Sequence, residues 1–342
     1  MQTPLHDLVI PQVCKAAFYE KTRAPADVDS VQFLDVPVIQ PLEGQVIVKM
    51  RYSSLNPVDW KLMSGAPPGW GHDLPFVLGY DVAGTVVALG EGVTHLRVGH
   101  EVFGVNWGDG SHKVEGGPSG GCFKEYATMS AKVLSLRPPE LWAVKAAAVS
   151  LAGTTAYQAV AQHMDVKKKD KVLILGGSGA VGQLAIQMAK ELGAWVATTC
   201  SSRTADFVKK IAQPDLIIDY NEQNWYKMQE LDNLDSIFAT FGDITTFQHA
   251  EYKLKDEGRY VSNSDCDAPV ALIPKDKHLK YHAFFCLSNN TEHQDVLANL
   301  IVGGKLNQVI CEEFPFTEAG VKCIIEKQLS NTSMGKNVIK FD

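Results

Sequence analysis

The hexapeptide Gly177-Ser178-Gly179-Ala180-Val181-Gly182 is the stretch of this chain best suited to hold a phosphate. It follows a continuous apolar run, residues 172–175, of the kind a parallel strand buried on both faces requires. It opens a pattern in which Val181, Leu184, Ala185, Met188 and Leu192 recur at helical spacing, with Gly193 placed to end the helix. In such a turn the first glycine permits the tight bend and the second lets the backbone approach a pyrophosphate. The third lets the helix pack close to the strand. N–H groups at the helix start then face the anion. Gly176 offers a second register, Gly176, Gly179 and Gly182, at the same helix N-terminus. With a further strand at 194–199 the unit has the span of a dinucleotide-binding fold, so Gly177, Ser178, Gly179, Ala180 and Val181 are candidate cofactor ligands.

The end of that further strand is where a carboxylate would accept the ribose hydroxyls of NAD. The sequence there is Thr199-Cys200-Ser201-Ser202-Arg203, with no carboxylate. A permanent charge with a planar donor fork at Arg203, beside the hydroxyls of Ser201 and Ser202, suits a 2′-phosphate and favours NADPH over NADH. The competing reading is a solvated arginine at a helix start, with Asp206 within reach as a partner.

These residues need a framework. At 342 residues the chain is too long for one small core, and two domains, possibly interleaved, are expected. With 45% hydrophobic and 21% charged residues and a net charge of -7, nothing suggests disorder or a nucleic-acid surface. No apolar run approaches the roughly 20 residues of a membrane helix, and a soluble, cytoplasmic protein is expected. Residues 1–14 have neither a signal nor a transit pattern and read as a short extension. Seven scattered cysteines without a CxxC pair fit reduced thiols and no structural zinc. To about residue 150 the chain is rich in β-forming runs (46–51, 82–89 and 98–105), with a long glycine-rich surface loop expected over 104–121. Beyond that, strands at 216–218, 237–239, 259–261 and 281–285 alternate with amphipathic stretches such as 205–212, which implies a parallel sheet with crossover helices. The tail, with a helix at 294–302 and strands at 309–313 and 337–341, has the texture of the head.

Taken together, Ser54-Leu55-Asn56-Pro57-Val58-Asp59-Trp60-Lys61, Leu78-Gly79-Tyr80-Asp81-Val82-Ala83-Gly84, Leu151 to Tyr157, the glycine turn and Gly335-Lys336-Asn337-Val338-Ile339 resemble the medium-chain dehydrogenases and reductases. Within that superfamily they are most similar to the zinc-independent quinone oxidoreductase and enoyl (alkenal, enone) reductase branch. The resemblance implies an α/β chain. A GroES-like β-rich catalytic domain would comprise 1–152 and 291–342, and a Rossmann NADPH domain 153–290. It further implies nicotinamide near Asn56, Tyr80 and Thr154, the 2′-phosphate on Arg203 and Tyr220, Lys336 as a further cofactor contact, and a monomer or homodimer. Zinc members carry Cys where this chain has Asn56, and Gly-His-Glu where it has Gly79-Tyr80-Asp81. An amide and a phenol do not replace thiolate and imidazole, so no metal is expected. Gly99-His100-Glu101 spells the zinc tripeptide at a later position and reads as a decoy, with His100 at the surface.

Without a metal to polarise an alcohol, the expected chemistry is hydride delivery from NADPH to a quinone or to the C=C bond of an α,β-unsaturated carbonyl. Asn56 or Tyr80 would steady the developing enolate, and Tyr80, Lys61 or water would supply the proton. Each has a plainer reading: Asn56 as a turn former before Pro57, Tyr80 as a core aromatic, Lys61 as a solvated residue and Asp59 as a loop-holding carboxylate. Two other functions stay open, a trans-acting enoyl reductase of a polyketide-type pathway and a cofactor-binding protein without catalysis.

Overall fold

Continuous apolar runs alternating with amphipathic ones build a parallel sheet, whereas the earlier β-forming runs build antiparallel ones. The computed structural model, which describes residues 9–65, 73–107, 119–242, 244–264 and 277–342, shows both. It divides into two units, residues 1–151, 288–302 and 310–342 in the first, and 152–287 with 303–309 in the second. The expected boundaries at 152/153 and 290/291 thus lie at 151/152 and 287/288. Residues 303–309 join the second unit because Asn307 N–H donates to Gln187 Oε1 at 2.8 Å and Lys305 pairs with Glu191 at 2.5 Å.

In the second unit six strands lie in the order Leu216–Asp219, Trp195–Cys200, Lys171–Leu175, Leu234–Ala239, Leu254–Ser262 and Tyr281–Phe284. Every neighbouring pair is parallel. Leu173, Leu175, Ala197, Ile218, Ile237, Ala239, Phe247 and Tyr260 share one buried cluster. The chain moves outward from Lys171–Leu175 through two strands, then returns to its other side at Leu234–Ala239. Ligands of open α/β sheets bind beyond the strand ends at such a reversal, and the glycine turn leaves the sheet there. Its helix, Ala180–Glu191, ends where the sequence predicts, with Gly193 at φ 84°.

The first unit holds a sheet in the order Ile310–Pro315, Lys336–Lys340, Gln45–Ser54, Asp81–Leu89, Glu101–Val105 and Leu134–Leu136, with Tyr126–Ser130 also paired to Gln45–Ser54. A smaller sheet joins Gln32–Pro37, Val13–Tyr19, Phe76–Val77 and Ser119–Gly120. Val338 lies opposite Ser54 and Ile339 opposite Ser53, which is why the tail has the texture of the head. Two expectations need correction. Residues 98–100 precede the strand, because Gly99 at φ 91° and the bond from His100 N–H to the Arg97 carbonyl, 3.1 Å, make a turn there. The loop expected over 104–121 begins later and ends earlier, since Gly104 and Val105 pair with Val82 and Asp81 and Ser119–Gly120 is a strand. Its middle, 108–118, lies outside the described residues. The helix Glu318–Leu329, which the sequence reading passes over, is capped by the Thr317 side chain accepting from Gly320 N–H at 3.1 Å.

Close packing makes one glycine of the turn indispensable to the fold and leaves another free. A Cβ on Gly182 would stand 2.2 Å from the Gly176 carbonyl oxygen, backbone against backbone, while one on Gly179 would meet nothing nearer than 3.5 Å. Gly182→Ala is therefore expected to lose about 1–3 kcal/mol of stability, the usual scale of overpacking. Gly179→Ala should leave the melting temperature within a degree or so of the parent, as surface changes usually do. Thermal unfolding of the two variants side by side checks this, and equal losses would show the packing reading to be wrong.

Candidate functional site

In the first unit the candidate residues converge on a buried carboxylate. Asp81 is wholly buried, Asn56 is 1% exposed and Lys336 is 3% exposed. Asp81 Oδ2 accepts from Asn56 Nδ2 at 2.7 Å and from Ser54 Oγ, and Asp81 Oδ1 accepts from Leu151 N–H at 2.6 Å. Lys336 Nζ stands 3.5 Å from Asp81 Oδ2 and also donates to Asn56 Oδ1. Both ends of the Asn56 amide are therefore fixed, the nitrogen by an anion and the oxygen by a cation. Burial pushes the Lys336 ammonium below its usual range, against the raising effect of Asp81 and then Asp59. The family resemblance implies a cofactor contact for Lys336; in the structure its bonds run to Asn56 and Asp81.

Asp59 fixes the loop around this cluster. Its Oδ2 accepts from Asn56 N–H at 2.8 Å and its Oδ1 from Gly79 N–H at 2.7 Å, so one carboxylate joins the short helix Pro57–Met63 to the segment leading into Asp81. Burial raises its carboxyl from 3.8 to about 7, despite those two bonds. Tyr80, 3% exposed, packs its ring edge-on to Trp107 at 4.9 Å and near Phe76 at 6.1 Å. Burial, then Asp59, drives its phenol well above its usual range, so it stays neutral. Lys61 lies partly exposed on the same helix as Asp59. Sequence reasoning misses the central place of Asp81 and the part of Ser54. A lone Asp at the head of an apolar β-forming run, residues 81–89, is the available signal.

In the second unit Gly176 N–H donates to Thr199 Oγ1 at 3.1 Å and Gly177 N–H to the Thr199 carbonyl at 2.9 Å, tying the turn to the neighbouring strand. A Cβ on Gly177 would meet Thr198 Oγ1 at 2.2 Å. Gly179 is exposed and is the N-cap of Ala180–Glu191, with Ser178, Ala180 and Val181 partly exposed beside it. The first N–H groups of that helix lack carbonyl partners within it, and a Cβ on Gly179 would meet nothing nearer than the Gly176 carbonyl oxygen at 3.5 Å, so this helix start could take an anion such as a pyrophosphate. Thr154 is fully buried in the helix Ala143–Tyr157.

Thr199 also leads to the segment expected to read the 2′ position. Ser201 is the N-cap of the helix Ser202–Ile211, Ser202 and Arg203 are exposed, and Tyr220 is 55% exposed. The segment itself carries no carboxylate, as its sequence shows, but the neighbouring strand brings one alongside. Asp219 ends the adjacent strand opposite Cys200, and its Oδ2 accepts from Ser202 N–H at 2.7 Å. Bonds from Asn221 first, and also from Ser202, hold its carboxyl below the usual range.

The first cluster generates two expectations. Lys336→Met leaves the Asp81 charge buried without its cation and should cost on the order of 3–5 kcal/mol, read by urea unfolding. Asp59 ionises near 3.8 in an unfolded chain but near 7 when folded. Its contribution to stability is therefore full at pH below about 4 and is lost as pH rises through about 7. Unfolding free energies from pH 5 to 8 should fall more steeply for the parent than for Asp59→Asn. Parallel slopes would remove Asp59 as the titrating group.

Residues 42–139 match the family model of the alcohol dehydrogenase GroES-like domain. The chain is 32% identical over 302 residues to a chloroplast envelope quinone oxidoreductase homolog of Arabidopsis thaliana, covering 84% of this chain and 88% of that protein. It is 30% identical over 337 residues to an NADPH-dependent alkenal/one oxidoreductase of the same plant, covering 97% and 81%. Its structure is similar to that of a quinone oxidoreductase from Coxiella burnetii, with a TM-score of 0.84 and 29% identity over 96% of this chain and 99% of that one. With a GroES-like unit interleaved around a parallel-sheet unit, and with relatives of this length and likeness, the chain belongs to the quinone oxidoreductase group of the medium-chain dehydrogenase/reductase superfamily.

Proposed function

We propose that this oxidoreductase takes reducing equivalents from NADPH to a quinone or to the C=C bond of an α,β-unsaturated carbonyl, without a catalytic metal. The observation that carries the reading is the closed set of bonds among Asn56, Asp81 and Lys336. Where zinc relatives use thiolate and imidazole, this chain has an amide and a phenol. The carboxylate beside them is already taken by an ammonium, a hydroxyl, the amide and a backbone N–H. Such donors suit the orientation of a polar substrate rather than the binding of Zn²⁺.

NADPH, when bound, supplies a hydride. The chain's part is to hold and orient. Gly177, Ser178, Gly179, Ala180 and Val181 would take the pyrophosphate; Ser201, Ser202, Arg203 and Tyr220 would take the 2′-phosphate, and Thr154 the nicotinamide side. Tyr80 keeps its proton and serves as a hydrogen-bond donor to an oxygen gaining charge, with Asn56 as a second donor held in place by its neighbours. Lys61 Nζ, partly exposed, or water returns the proton. The Arabidopsis relative named as an NADPH-dependent alkenal/one oxidoreductase supports both the cofactor and the acceptor class.

NADPH oxidation against quinones, 2-alkenals, cyclic enones and enoyl thioesters, with NADH in parallel, tests this. Turnover of free enals or quinones is expected. Consumption of none of the acceptors would end the enzyme reading, and a preference for carrier-bound enoyl thioesters would shift it to a trans-acting enoyl reductase. Arg203→Glu should raise KM for NADPH on the order of ten-fold, the scale of a lost charge-assisted bond, and that for NADH much less. Equal effects would take Arg203 out of the site. Gly179→Ala should weaken both cofactors alike, since the pyrophosphate is common to them.

A further inference from the structure

We infer that Asp219 sets the cofactor preference of the adenosine 2′ subsite, holding the advantage of a 2′-phosphate over a free ribose hydroxyl to a small factor. The inference rests on the proposed placement of that phosphate at Ser201, Ser202 and Arg203. Three observations carry it. First, the strands Trp195–Cys200 and Leu216–Asp219 run parallel with Cys200 opposite Asp219, so the carboxylate emerges beside the segment that reads the ribose. Second, Asp219 Oδ2 occupies Ser202 N–H at 2.7 Å, one of the backbone donors an incoming phosphate would otherwise use. Third, Asp219 Oδ1 accepts from Asn221 N–H at 2.9 Å and Asn221 Nδ2 at 3.0 Å, so the carboxylate is held in place from both sides. A fixed anion at this point repels a dianionic 2′-phosphate and offers acceptor lone pairs to a ribose diol. Arg203 opposes it, and the measured preference is the balance of the two charges.

The same geometry leaves the phosphate to side chains. With Ser202 N–H occupied and the Ser202 side chain also bonded to Asp219, the Ser201 hydroxyl, the Arg203 guanidinium and the Tyr220 hydroxyl are the side-chain groups left to meet the phosphate. The adjacent backbone bond from Tyr220 N–H to the Cys200 carbonyl, 3.2 Å, places Tyr220 at this junction.

The test is Asp219→Asn in the full-length protein, because the amide keeps an oxygen for Ser202 N–H and removes the charge, giving up the acceptor that faces Asn221. Binding is measured by titration calorimetry with 2′,5′-ADP and with 5′-AMP, which isolate the adenosine end from the chemistry. Asp219→Asn should tighten 2′,5′-ADP about three-fold, the scale of one partly exposed charge pair, and leave 5′-AMP unchanged or weaker. The gain should shrink in high salt. Asp219→Glu, which restores the charge, should return the ratio toward that of the parent. A parent that prefers 2′,5′-ADP, with the same ratio in Asp219→Asn, overturns this inference and leaves the NADPH reading standing. A parent with no 2′,5′-ADP preference, unaltered by Arg203→Glu, overturns both.

Discussion

The buried charge of Asp81 is the constraint around which the first unit is arranged. A carboxylate without water costs several kcal/mol unless every lone pair is answered. Here the answers come from Ser54 and Asn56 on one side, Leu151 N–H on another and Lys336 from the far end of the chain. Each donor must be delivered by its own element. The strand Gln45–Ser54 runs one residue past its pairing with Ile339 to place Ser54, Pro57 starts a helix that leaves Asn56 at its head, and the tail strand begins at Lys336. Removing any of them strands a charge, so the polar cluster fixes both fold and site.

That economy explains what the sequence reveals. Runs of apolar residues report their neighbours along the chain, and for this reason the strand at 171–175, its helix and the stop at Gly193 are legible to within a residue. The glycine turn is legible for the same reason, because strand, turn and helix are contiguous. Lys336 and Asn56 are 280 residues apart, and no local pattern announces their bond. Asp219 escapes for a related cause. A motif reads along the chain, from the end of the second strand into the helix beyond it, while parallel pairing in register sets the end of the third strand alongside.

The two clusters thus hold their groups differently. The glycine turn works through backbone geometry, where the absence of side chains permits the close packing and a methyl group decides between tolerance and collapse. The polar cluster works through charge in a dry interior, where exchanging an amide or an ammonium alters protonation as well as position.

The pairing of Lys340 with Tyr52, and of Val338 with Ser54, also orders events in time. On a ribosome adding about 5–20 residues per second, the strand Gln45–Ser54 waits roughly 15–60 s for its partner from the tail. The parallel-sheet unit encoded between them is translated first and can close on its own helices during that interval. Nascent chains should therefore carry a folded insert while one edge of the first unit's sheet is still exposed, and that edge, rather than the parallel-sheet unit, is where a chaperone would find its grip.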